Sequence, residues 1–163
     1  MTLEVLHDTF LGLEPEQAAY GAARVAVVRA PYDGTASYGA GARNGPAAIM
    51  AASAQVELFY HELNREPCSV GICALPALLP SAAGVEAMIS SVEEACAGPH
   101  ADGKLVLTLG GEHSIAVGAA RAAARAHGRL SFLQIDAHLD LRDSYEGSRF
   151  SHACVARRLL ELG

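Results

Sequence analysis

The sequence predicts an α/β protein: a parallel sheet with helices on both faces, hence three layers, α-β-α. Two observations lead there. Apolar runs of strand length, closed by Pro or Gly, alternate with stretches of ten to sixteen residues that carry a helical period. The runs are also nearly continuous in Val, Leu, Ile and Ala rather than alternating with polar residues, as strands buried on both faces require. At 163 residues, 51% hydrophobic and 18% charged, the chain suits one core-rich domain spanning 1–163. No repeat or low-complexity linker divides it.

In chain order, residues 1–22 read as a surface lead-in, with Pro15-Glu16-Gln17 starting a helical turn. Arg24–Ala30 is β-branched and closed by Pro31, a strand. Residues 31–46 hold four glycines among their turn residues and form a long loop, of the kind that carries function. Pro46 suits the first turn of a helix over 47–55. Cys68–Ala74 is a second strand. Over 81–97, Val85, Met88, Ile89, Val92 and Cys96 fall on one helical face, with Glu86, Glu93 and Glu94 off it. Lys104–Leu109 is a third strand, ended by Gly110-Gly111. Ile115–His127 is an Ala-rich helix stopped by Gly128, and Leu130–Ile135 a fourth strand. Ser151 is placed to cap a last helix over 152–162.

Composition excludes several roles. The formal net charge is −6 and no basic run exceeds Arg157-Arg158, so a nucleic-acid surface is not expected. No apolar stretch reaches the roughly 18–20 residues that span a bilayer. The acidic N-terminal stretch is unlike a signal peptide. Cys68, Cys73, Cys96 and Cys154 lack paired spacing and read as reduced thiols, which points to the cytoplasm.

Chemistry concentrates at the ends of two strands. Asp136, His138 and Asp140 follow the run 130–135 at alternate positions, and an extended backbone would turn all three to one side. Alone, this pattern also suits a polar loop after a strand. Upstream, however, Gly110-Gly111-Glu112-His113-Ser114 closes the preceding strand in the same way, and ligands of parallel sheets bind beyond carboxyl ends. The upstream turn lacks the Gly spacing and Lys of a phosphate loop. Carboxylates with imidazole suit Mn²⁺ above all, with Zn²⁺, Fe²⁺ or Co²⁺ as alternatives. His113, Asp136, His138 and Asp140 would close one tetrahedral site or form part of a two-metal site bridged by Asp136. Two carboxylates leave a pair of divalent ions under-liganded. His152, at a helix N-terminus that favours its neutral form, is a candidate acid/base group. His7, His61, His100 and His127 read as solvated or structural.

Together these residues resemble the ureohydrolase family (arginases, agmatinases, guanidinobutyrases and formimidoylglutamases), nearest its agmatinase branch. The resemblance rests on ordered segments: 31–35 with Ser37-Tyr38, the 41–46 turn, Leu109–Ser114, Asp136–Asp143, and Tyr145–Gly147 leading to Ser151–Cys154. It implies an arginase-like fold and a binuclear Mn²⁺ hydrolase that releases urea from a guanidinium substrate, agmatine giving putrescine in polyamine biosynthesis. Carried over by position, His113 would bind one ion, His138 the other, Asp136 would bridge both, and Asp140 would join His113. Asp140 thereby belongs to the catalytic centre, with His152 as the proton shuttle. The 33–38 loop would lie near the entrance.

The family pattern continues with a DxDxxDP-type segment supplying two further carboxylates, then a glutamate at the guanidinium. Neither stands in these 163 residues. The expectation is a fold incomplete on its C-terminal side, exposing apolar strand edges and working as a homo-oligomer or with a complementing C-terminal half. The alternatives are a non-catalytic remnant holding half a metal site, one chain of a split enzyme, or a one-zinc amidohydrolase on a related fold.

Overall fold

The computed structural model describes residues 8–162; the beginning of the lead-in, with His7, and the terminal Gly163 lie outside them. A short helix α1 (Pro15–Ala18) precedes strand β1 (Val25–Ala30). Helix α2 (Gly45–Ser53), strand β2 (Ile72–Ala74), helix α3 (Val85–Ala101), strand β3 (Leu105–Gly110), helix α4 (Ala116–His127) and helix α5 (Val155–Leu160) follow. The sheet is wholly parallel, in the order β2-β1-β3, with Val25 in register with both Ile72 and Leu105.

β1 is central because both its faces are covered, and its alternation decides which helix meets which side. Val28 and Ala30 pack with Met88, Val92 and Cys96 of α3 and with Ile115 and Ala122, while Val27 packs with Met50 of α2 and Leu109. The three layers expected from the sequence therefore form. The helical face of α3 is as the spacing predicts: Met88, Ile89, Val92 and Cys96 are fully buried. α4 crosses α3 at Gly118, and α5 joins the pair through Val155 against Ile89 and Val117.

Four expectations need correction. Glu93 is buried rather than on the outer face, because α4 lies over it and supplies Arg125 Nη1 at 2.9 Å and Arg121 Nη1 at 3.9 Å. The second strand is shorter than predicted. Pro67 starts a 3-10 turn over Pro67–Val70, Gly71 takes φ +76°, and only the three residues after it pair with β1. Ser151 makes no side-chain cap.

The fourth correction matters most: residues 130–135 form no strand. They run as irregular chain beside β3, separated from β3 and α4 by a cleft of about 410 Å³, with Leu133 and Ile135 about nine-tenths exposed. A continuous apolar run gains as a strand only when it is paired and covered. Here β3 remains an edge strand, with Leu105 and Leu107 exposed. The expected apolar edge is thus present.

The long loop after β1 is held from within. Asp33 is buried, and its Oδ2 accepts the backbone N–H of Gly41 at 2.8 Å and of Arg43 at 3.3 Å, while Oδ1 receives the Arg43 guanidinium. These bonds hold the Asp33 carboxyl below its ordinary range, the Gly41 N–H being the largest influence; burial opposes it and Arg43 reinforces it. The loop then leads into α2, whose buried Pro46 stands in the first turn.

Candidate metal centre

β3 stops where the backbone must cross the end of β1. Gly111 N–H donates to Ala30 O at 3.1 Å and Glu112 N–H to Tyr32 O at 2.7 Å. A Cβ on Gly111 would stand 2.0 Å from Tyr32 O, so only glycine allows this crossing. The chain then turns through a 3-10 segment, His113–Ile115, into α4. His113 is thereby presented at the carboxyl end of the sheet.

Asp136 and Asp140 reach the same place by a different route from the one predicted, and His138 does not. The segment bends rather than extends: Asp136 Oδ1 accepts the His138 N–H at 2.8 Å, and Asp140 takes a left-handed φ of +49°, which Asp tolerates. Asp140 O in turn accepts the Arg157 N–H at 3.2 Å, and Arg142 N–H donates to Ala153 O at 3.3 Å. These two bonds dock the segment on the last helical turns.

His113, Asp136 and Asp140 each bring one ligand atom within 4.8 Å of the others. His113 Nδ1 lies 2.6 Å from Asp140 Oδ2 and 3.4 Å from Asp136 Oδ2. His138 stands outside this group, mostly exposed, with Nδ1 3.6 Å from the other Asp136 oxygen, Oδ1. The Asp136 carboxylate therefore lies between two imidazoles, one toward each oxygen. Its pKa is lowered, first by the His138 backbone N–H, with burial opposing and the His113 and His138 rings adding to the effect. Three nitrogen and oxygen donors converging on one point, two of them carboxylates, fit a hard or borderline divalent ion.

An open cleft of about 740 Å³ adjoins the cluster, lined by Ser37, His138, Asp140, Arg142, Tyr145 and His152 among others. The ring of His152 meets Tyr145 edge-on, with centroids 5.8 Å apart. Its Nδ1 lies 2.8 Å from Thr35 O, and its backbone N–H donates to Thr35 Oγ1 at 3.0 Å. Thr35 thus caps this end in place of Ser151.

Sequence reading placed the 33–38 loop near the site but assigned Thr35 no role, and it passed over Glu112. The buried Glu112 carboxylate accepts three hydrogen bonds from Thr35 and Ser114. The only signal available was a carboxylate beside His113 at the end of an apolar strand. The four cysteines are free and buried, and His127 pairs with His100 at 3.2 Å. No helix among the described residues is long and apolar enough to cross a membrane.

Residues 23–163 match the model of the Arginase family. The chain is 43% identical over 152 residues to the N(1)-aminopropylagmatine ureohydrolase of Synechocystis sp., covering 89% of this chain and 49% of that protein. It is 38% identical over 139 residues to the agmatinase of Pyrococcus horikoshii, covering 82% of this chain and 46% of that one. The crystal structure of the agmatine ureohydrolase of Thermoplasma volcanium superposes with a TM-score of 0.77 at 32% identity, over 99% of this chain and 52% of that one. The chain thus spans about half the length of the relatives it matches. With an arginase-like arrangement of sheet and helices, and a family match over residues 23–163, the chain belongs to the Arginase family.

Proposed function

We propose that this chain carries half of an agmatinase-type, manganese-dependent ureohydrolase centre. The observation that carries the reading is the convergence of His113, Asp136 and Asp140 at the carboxyl end of β3. His113, Asp136 and Asp140 would hold one ion, and His138, across the second Asp136 oxygen, would contribute to another. When bound, such ions supply Lewis acidity, which makes water a nucleophile at neutral pH. The substrate is a guanidine on an aliphatic amine chain, agmatine or N(1)-aminopropylagmatine, in line with the relatives' names. Urea and the corresponding amine are the products, and the setting is polyamine biosynthesis in the cytoplasm.

The residues of this chain divide the remaining work. His152 lines the cleft next to the cluster and holds or releases a proton for the leaving amine. Its Nδ1 is engaged by Thr35 O, so proton exchange falls to Nε2. Two carboxylates do not balance two divalent ions. A second copy of this chain would supply the rest along the exposed β3 edge. That edge also favours a second reading, in which this chain is one part of a split enzyme or a non-catalytic half-site.

The test is urea release from agmatine and N(1)-aminopropylagmatine by the purified chain reconstituted with Mn²⁺. 4-Guanidinobutyrate and arginine run alongside, with His138→Ala as the control. Turnover well above the control supports the first reading and names the substrate. No turnover, with manganese held weakly or not at all, overturns it in favour of the second.

A further inference from the structure

Glu112, buried, and Thr35, half-buried, are 77 residues apart and form one hydrogen-bonded unit beside His152. Glu112 Oε2 accepts the Thr35 N–H at 2.8 Å, and Oε1 accepts the hydroxyls of Thr35 at 2.5 Å and Ser114 at 2.6 Å. A threonine hydroxyl has one proton, and the carboxylate takes it. Toward every other neighbour Thr35 Oγ1 is then an acceptor, and it receives the His152 backbone N–H.

The consequence falls on the His152 ring. Nδ1 faces Thr35 O at 2.8 Å and Thr35 Oγ1 at 3.3 Å, two oxygens with no proton to offer. A bare lone pair on Nδ1 would face theirs. One hydroxyl opposes this, that of Ser151, and at 3.4 Å it is beyond the range of a good O–H hydrogen bond. The carbonyl contact therefore wins.

We infer that Glu112 and Thr35 are positioning residues that fix His152 as the Nδ1–H tautomer and leave Nε2 as its proton-exchange atom. The chain of contacts runs carboxylate to hydroxyl to imidazole, with Glu112 anchoring the loop that Thr35 belongs to. The use made of Nε2 rests on the ureohydrolase reading; the tautomer itself does not.

The experiment is nitrogen NMR of the His152 ring in the intact chain without metal, at about pH 8, where an ordinary imidazole is neutral. The His152 signals are assigned by their loss in His152→Gln. The wild type is expected to show a protonated Nδ1 and an unprotonated Nε2, the tautomers differing in population by about tenfold, the range of one net hydrogen bond. Thr35→Val should bring the two nitrogens toward averaged shifts, and Thr35→Ser should restore the wild-type pattern; circular dichroism checks that each is folded. A wild-type ring protonated on Nε2, or averaged, overturns the inference even if Thr35→Val does not fold. So does a folded Thr35→Val with unchanged signals. A fixed Nδ1–H in a chain that hydrolyses no guanidine would sink the ureohydrolase reading and leave this inference standing.

Discussion

His113 Nδ1 stands 2.6 Å from Asp140 Oδ2, joining the turn after β3 to a segment 27 residues later that belongs to no strand. This contact and the one from His113 to Asp136 Oδ2 define the proposed metal-binding point.

Removal of any of these three ligands should weaken Mn²⁺ binding. His113→Ala, Asp136→Ala and Asp140→Ala are each expected to cost at least about 10–100-fold in affinity, the loss found even for groups that merely support a ligand. His152→Ala should bind nearly as the wild type does. Calorimetric titration decides it: equal affinity across the four variants would reject the ligand assignment.

Acid should undo the loop after β1 through Asp33. Its carboxyl is held below the ordinary range in the folded chain, chiefly by the Gly41 N–H. Its contribution to stability is therefore fully present above the unfolded value of about 3.9 and is lost as pH falls through the lowered folded value. Melting curves of the wild type and Asp33→Asn should be well separated at neutral pH and converge below about pH 4. A separation independent of pH would contradict the assignment.

The α3–α4 crossing should not accept a methyl group. A Cβ on Gly118 would meet Ile89 O at 2.3 Å and Val92 Cβ at 2.9 Å. Ala in place of Gly gains about 1 kcal/mol of helix propensity. Overpacking against a backbone oxygen that cannot swing aside costs about 1–3 kcal/mol. The clash is expected to prevail, so Gly118→Ala should lower the urea midpoint; an unchanged or higher midpoint would refute the close crossing.

The flank of β3 should be adhesive. Leu105, Leu133 and Ile135 are 69%, 88% and 93% exposed on neighbouring parts of the fold. The chain alone should bind an apolar-surface dye and self-associate at concentrations on the order of micromolar. Leu105→Lys with Leu133→Lys should reduce both. Light scattering showing a compact monomer in the unaltered chain would dispose of this expectation.

Much of this protein could be read from its residues in order, because the signals are local. Val25–Ala30 and Leu105–Gly110 are apolar runs closed by Pro31 and Gly111, and the buried face of α3 follows its 3.6-residue period. Family kinship was legible for a related reason: a short motif keeps its side chains at fixed spacings whatever lies around it. The run 130–135 shows where such reading stops, since its apolar residues answer to a partner strand and a cover that local sequence does not contain.

By itself, then, the sequence determined the parallel α/β layers, β3 and α4 on either side of His113, and His113, Asp136, His138 and Asp140 as candidate ligands. Tertiary structure alone decided which of them meet. A bend at Asp136 and a left-handed turn at Asp140, docked on the last helical turns, bring two carboxylates to His113 and leave His138 outside. It alone also joined Glu112 to Thr35 and Thr35 to His152. The physical reason is range: periodicity and capping act within a few residues, whereas these hydrogen bonds close loops of 27 to 117 residues, and only the packed sheet brings their ends together.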